Sequence, residues 1–144
     1  MKNILIIFIL ILGLQISTKA QKLEAEVFLQ QTVMGLQKGY SVKTVSDFGL
    51  RYGVFFQSNN HFSFKEGQSN YPYAGIDLSY PISKCGKVKL YANLKSGLVD
   101  YKFLAVSPEI ESNIDITRFL SIGVGSGLRA RKAAVSCKVI IKPF

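Results

Sequence analysis

The sequence predicts an all-β chain, an antiparallel up-and-down transmembrane β-barrel of eight strands, and three observations carry that expectation. Apolar and polar residues alternate with a period of two through most of the chain after residue 20, which marks strands and not helices. The first 20 residues have the pattern of an export signal. Beyond them no apolar run approaches the roughly 20 residues of a membrane helix, so a chain bound for a membrane must cross it as strands.

Residues 1–20 read as a secretory signal peptide. Lys2 supplies the positive start, Ile4 to Leu14 form the apolar run, and Thr18 and Ala20 put small residues where a signal peptidase cuts. An uncleaved anchor is the alternative, and the run is short for one. No cysteine follows it, which excludes a lipoprotein anchor. Removing this segment takes Lys2 and Lys19 away, leaving 16 basic against 9 acidic side chains in residues 21–144. That length suits one domain, here the barrel domain.

The basic balance does not point to nucleic acid, because the cations form neither an Arg-rich arm nor a recognition helix, and an exported chain rarely meets such a partner. Cys85 and Cys137 are the only cysteines. One falls in an expected turn and the other in mid-strand, too far apart for the ~6 Å Cα separation of a bridge, so both are expected as free thiols.

In order along the chain, Leu23, Ala25, Val27 and Leu29 alternate with Glu24, Glu26, Phe28 and Gln30 in a first strand. Met34, Leu36, Tyr40 and Val42 against Gly35, Gln37, Gly39 and Ser41 give a weaker second, with Lys38 on its apolar side. Phe48 to Gln57 gives a clear third, and the polar stretch from Ser58 to Pro72 a surface loop. Ala74, Ile76, Leu78, Tyr80 and Ile82 oppose Gly75, Asp77 and Ser79; a turn from Pro81 to Lys87 leads to Val88, Leu90, Ala92 and Leu94 opposing Lys89, Tyr91, Asn93 and Lys95. Three closing strands follow. Glu109, Glu111, Asn113 and Asp115 alternate with Ile110, Ser112, Ile114 and Ile116; Ser121, Gly123, Gly125, Gly127 and Arg129 with Leu120, Ile122, Val124, Ser126 and Leu128; a last strand starts at Ala133. The cramped N-terminal pair leaves seven strands plus a loop as the alternative count.

Pooling the non-aliphatic faces collects Glu24, Glu26, Asp77, Glu109, Glu111 and Asp115 with Arg51, Lys89, Lys95, Arg129 and Lys138. Eight strands enclose a lumen that side chains just fill, where charges are tolerable only if paired. These eleven are therefore expected as structural interior ion pairs, with Glu109 and Glu111 meeting Lys89, Lys95 and Arg129. The remaining cations, Lys43, Lys65, Lys84, Lys87, Lys102, Arg118, Arg131 and Lys132, are expected at rims and loops. Tyr52, Tyr73, Tyr80, Tyr101, Phe103 and Phe119 are candidates for aromatic girdles. Alternation alone also permits the reverse, a soluble barrel with its apolar face inward.

From Tyr101 onward, Phe103, Val106 to Glu109, the run Leu120-Ser121-Ile122-Gly123-Val124-Gly125, Leu128-Arg129 and the terminal Phe144 resemble the small porin-like outer-membrane β-barrels of the OmpA/OmpX type. The likeness is one of pattern across residues 21–144. Lys142 and Lys138 occupy positions that such barrels usually keep apolar, counted back from the last aromatic, and Pro143 cannot donate to a ladder. The resemblance implies the cell outer membrane, contact with its lipid, delivery to the envelope assembly machinery through the C-terminal strand, and a monomer.

Catalytic chemistry has little to stand on. With one histidine and no Cys-x-x-Cys, no metal site or cofactor is expected, and Gly123, Gly125 and Gly127 follow a strand pattern, not that of a phosphate loop. His61, Ser63 and Glu66 hold the parts of acyl-transfer chemistry, but Glu66 falls on the opposite side of an extended chain from Ser63. The expected function is thus non-enzymatic: a small outer-membrane barrel with a structural or surface-interaction role and no open solute pore. The alternative is a soluble periplasmic barrel binding an apolar ligand.

Overall fold

A strand that alternates apolar and polar residues needs a different environment on each face, and a closed sheet supplies two. The computed structural model describes residues 22–32, 35–59, 72–129 and 131–142; residues 1–20, expected as a signal peptide, and Met34, His61, Ser63, Lys65, Glu66, Pro143 and Phe144 lie outside the described residues. Eight strands run in chain order: β1 (Lys22–Thr32), β2 (Gly35–Val45), β3 (Arg51–Asn59), β4 (Tyr73–Cys85), β5 (Val88–Val99), β6 (Phe103–Asp115), β7 (Leu120–Arg129) and β8 (Lys132–Ile141). Each pairs antiparallel with the next, and β8 pairs back onto β1, closing the barrel. The count is eight, not seven.

Polarity across the wall is the reverse of a soluble barrel. Arg51, Lys43, Lys95, Glu26, Glu111 and Asp77 are fully enclosed, whereas Ile76 and Val54 are more than 60% exposed on the outside, at 63% and 61%. Aliphatic faces therefore do not line an internal cavity, and the alternative of a lumen for an apolar ligand does not fit the charged and polar side chains that fill it. Strands of 9 to 13 residues match the length that a tilted strand needs to cross a bilayer's hydrocarbon, about 9–11 residues.

Some boundaries differ from the sequence expectation for identifiable reasons. β4 runs on past Pro81 with a register shift between Pro81 and Ser83, since proline cannot donate to the ladder and is accommodated at a bulge. The β4–β5 turn shrinks accordingly to Gly86 and Lys87, with Gly86 at φ 58°. Between β5 and β6 the chain reverses at Asp100 and Tyr101, both left-handed at φ 52° and 57°, while the Lys102 amide donates to the Val99 carbonyl at 3.1 Å. That is the twist-matched hairpin turn built without glycine. Tyr73 is not a girdle residue: it shares the inward phase of Asp77 and Ser79 and is wholly buried. Tyr52, Tyr80, Tyr101, Phe103 and Phe119 are exposed. Cys85 and Cys137 are free and face outward.

Candidate functional site

The lumen is the chemically dense part of the molecule, and its centre is one network. From β2, Lys43 projects inward and its Nζ lies 3.1 Å from Glu26 on β1, 3.0 Å from Asp77 on β4 and 3.1 Å from the Ser79 hydroxyl. From β8, Lys138 reaches Glu26 at 3.5 Å and donates to Glu111 on β6. Glu111 also accepts from Asn113 at 2.5 Å and from Asn93 at 3.4 Å, and Arg51 stands 3.8 Å away. Arg51 pairs with Glu24 at 2.9 Å while its guanidinium stacks 4.0 Å from the centre of the Tyr91 ring. Two lysines and an arginine thus join strands from opposite sides of the cylinder. In a low-dielectric interior such charges persist because each meets several partners.

Lys43 was expected at the rim and is instead wholly buried. β2 continues to Val45, so Lys43 keeps the inward phase of Gln37, Gly39 and Ser41. Lys89 departs in its partner: it meets Asp115 at 2.8 Å near one mouth, where Lys142 joins it, and not Glu109 or Glu111. Glu109 consequently pairs with Lys95 at 3.9 Å and accepts from Ser136, not from Lys89 or Arg129.

Above the ion network, aromatics and amides take over. Lys95 Nζ sits 3.7 Å from the centre of the Phe28 ring and, among the described residues, has no hydrogen-bond acceptor; the π face stands in for one. Phe55 meets Tyr73 edge-on with ring centres 4.7 Å apart. Arg129 was expected in an ion pair, but among the described residues it meets no carboxylate. It donates to Gln37 and lies 4.7 Å from the centre of the Tyr73 ring, because the end of β7 stands above the level of the acids. Gln57 donates to Gln30 and Gln37 at 2.7 Å each. The sequence signal for this layer was present: Gln30, Gln37, Gln57, Phe28 and Phe55 share the parity of the charged residues.

Glycines give the network its room. A Cβ on Gly125 would collide with the Glu109 carboxylate and approach Ser136 Oγ to 2.7 Å, and one on Gly123 would come within 2.8 Å of Lys138 Cγ. The glycine stripe of β7 is the space into which side chains of β6 and β8 fold. Among the described residues no cluster of His, Cys, Asp and Glu suits a metal ion.

These features define a class: closed eight-stranded antiparallel barrels with apolar exteriors and polar, filled interiors. No protein-family model matches the chain, and no curated protein matches it in sequence. Solved structures do. A de novo designed transmembrane β-barrel superposes with a TM-score of 0.65 at 16% identity, covering 87% of this chain and 98% of the design. The solution structure of the designed barrel TMB2.3 gives 0.65 at 9% identity, covering 88% and 99%. Neisserial surface protein A gives 0.51 at 13% identity, covering 85% and 95%. At these identities the likeness is one of fold.

Proposed function

We propose that this chain is a small outer-membrane β-barrel protein, exported by residues 1–20, with a structural or surface-interaction role, no open solute pore and no catalytic step. The observation that carries the reading is the inverted polarity: Glu26, Lys43, Arg51, Lys95 and Glu111 inside, Val54, Ile76, Ile110, Val124 and Val139 outside. In water, so large an apolar exterior would drive aggregation; in lipid it is the required surface. Likeness in fold to a Neisserial surface protein supports the same location. The filled upper lumen supports the absence of a pore, since an eight-stranded cylinder has little width beyond its side chains.

The start of β1 and the end of β8 lie at one end with the connections 46–50, 86–87 and 116–119, while the other end carries the two- and three-residue connections 130–131 and 100–102 and the longest one, residues 60–72. Barrels of this kind keep their longer loops on the extracellular side, and the length of 60–72 supports a periplasmic side at the end where β1 begins. Lipid and the envelope assembly machinery are the partners this reading requires, with the chain as a monomer. The test is fractionation of the expressed protein followed by gel migration with and without boiling. Extraction only by detergent and a heat-dependent shift are expected; a freely soluble protein with one band would refute the proposal.

A further inference from the structure

The end of the barrel where β1 begins and β8 ends opens into a cavity of about 990 Å³, lined by seven cations and three acids. Three of the cations are committed: Lys89 and Lys142 to Asp115, and Arg51 to Glu24. Lys22, Lys84, Lys87 and Arg118 have no carboxylate within ion-pair distance among the described residues. They arrive from three separate parts of the chain, the start of β1, the β4–β5 turn and the β6–β7 connection. Asp47 is the one acid of the lining left to oppose them.

Like charges converging on one concavity with low-dielectric walls repel one another and produce a focused positive potential. Deeper in the lumen Glu26, Asp77 and Glu111 share Lys43 and Lys138, and Glu109 pairs with Lys95, whereas at this mouth four cations converge on one remaining acid. At the opposite end Lys102 has its own acid, Asp100, at 3.6 Å. Arg118 is further held with its guanidinium 4.5 Å from the Phe119 ring centre, which keeps a planar, multidentate donor at the cavity edge.

We propose that this mouth is a binding site for a phosphate-bearing polyanion. A single carboxylate would satisfy one of the four cations that have no acid partner among the described residues. An ion with several phosphate charges satisfies them together, and the volume is at the upper end of the usual range for small-molecule sites. Two sources offer this chemistry, a soluble polyphosphate and the phosphate headgroups of lipids, since Leu23, Ile82 and Val88 carry the apolar exterior up to the same rim.

The experiment titrates tripolyphosphate into the full chain folded in nanodiscs of zwitterionic lipid, and separately measures retention of phosphatidylglycerol around the protein in mixed-lipid nanodiscs. Wild type, K84E/K87E and the opposite-rim control K102E/K132E are compared, each first checked for the heat-dependent gel shift that reports a folded barrel. Expected is saturable binding that weakens with salt and falls at least tenfold in K84E/K87E while the control stays within twofold. Tripolyphosphate binding would assign a soluble ligand, and selective phosphatidylglycerol retention alone a lipid headgroup. Binding of neither above the level of K84E/K87E, or an equal loss in K102E/K132E, would overturn the proposal.

Discussion

Lys138 of β8 and Glu26 of β1 meet at 3.5 Å diagonally across the seam where the last strand joins the first, Lys138 standing opposite Phe28 and Glu26 opposite Ile140. The same ammonium donates to Glu111 of β6, so one side chain ties the closing pair of strands to β6. Lys138→Met would leave two carboxylates buried without their shared cation, and losing one partner of such a set costs about 3–5 kcal/mol. Urea unfolding in lipid vesicles should show that loss, and adding Glu111→Gln should recover part of it. A variant as stable as wild type would mean the lumen is wet enough to screen these charges.

Glu111→Gln alone should destabilise for the reciprocal reason, by about 3–5 kcal/mol, because Lys138 keeps its charge and retains only Glu26. The comparison that decides is with Asp115→Asn. Asp115 sits at the mouth with its side chain 28% exposed, where solvent screens the charge, so its loss should be the smaller of the two.

Outward positions should resist charge. Ile122→Arg or Val124→Arg should cost about 2–4 kcal/mol near the bilayer midplane, measured by the same unfolding assay, while Val124→Leu should be nearly silent. Ser121→Ala, one residue away but facing in, removes a hydroxyl that donates to Asp115 at 2.5 Å. A loss of about 1 kcal/mol is expected there.

Gly127 is placed where a methyl group has nowhere to go. Its Cβ would meet the backbone of β6 at the Pro108 carbonyl and 2.6 Å from Glu109 Cα, so the strands must part. Overpacking of this kind costs about 1–3 kcal/mol. Gly86→Ala in the β4–β5 turn meets no atom within 4 Å, and its cost should come from φ 58° alone, about 1–2 kcal/mol. A Gly127→Ala variant that folds with wild-type stability would show that β6 and β7 pack less closely than described.

Reconstituted protein should give no steady conductance of porin size. Phe28, Phe55, Tyr73 and the amides of Gln30, Gln37 and Gln57 occupy the lumen above the ion network. Stable single-channel steps in planar bilayers would contradict that seal.

Parity made most of this legible in the sequence. Because side chains alternate strictly, assigning Leu23 or Val124 to one face assigns Glu24 or Gly125 to the other, and all eleven pooled ionisable residues lie on the inner face. Partner choice was not legible, because it depends on how far each strand is staggered against the next. Lys89 lands beside Asp115 and not Glu109, and Arg129 lands above every acid, for that reason. Lys43 was missed because β2 outlasts its apolar signal, and the β5–β6 turn because Asp100-Tyr101 adopts a conformation usually announced by Asn-Gly. The unpaired cations at the mouth were visible only as a surplus of charge; their convergence required the fold.

Cys137 offers a direct probe of whether the apolar exterior meets lipid. It is a free, outward-facing thiol in the middle of β8, paired across to Leu29 and Val124. With Cys85 changed to serine, a fluorophore on Cys137 can be read in bilayers whose acyl chains carry bromine at defined depths. Strong quenching by bromines deep in the hydrocarbon and little by aqueous iodide is expected. Quenching by iodide with no response to the brominated lipids would contradict contact with lipid.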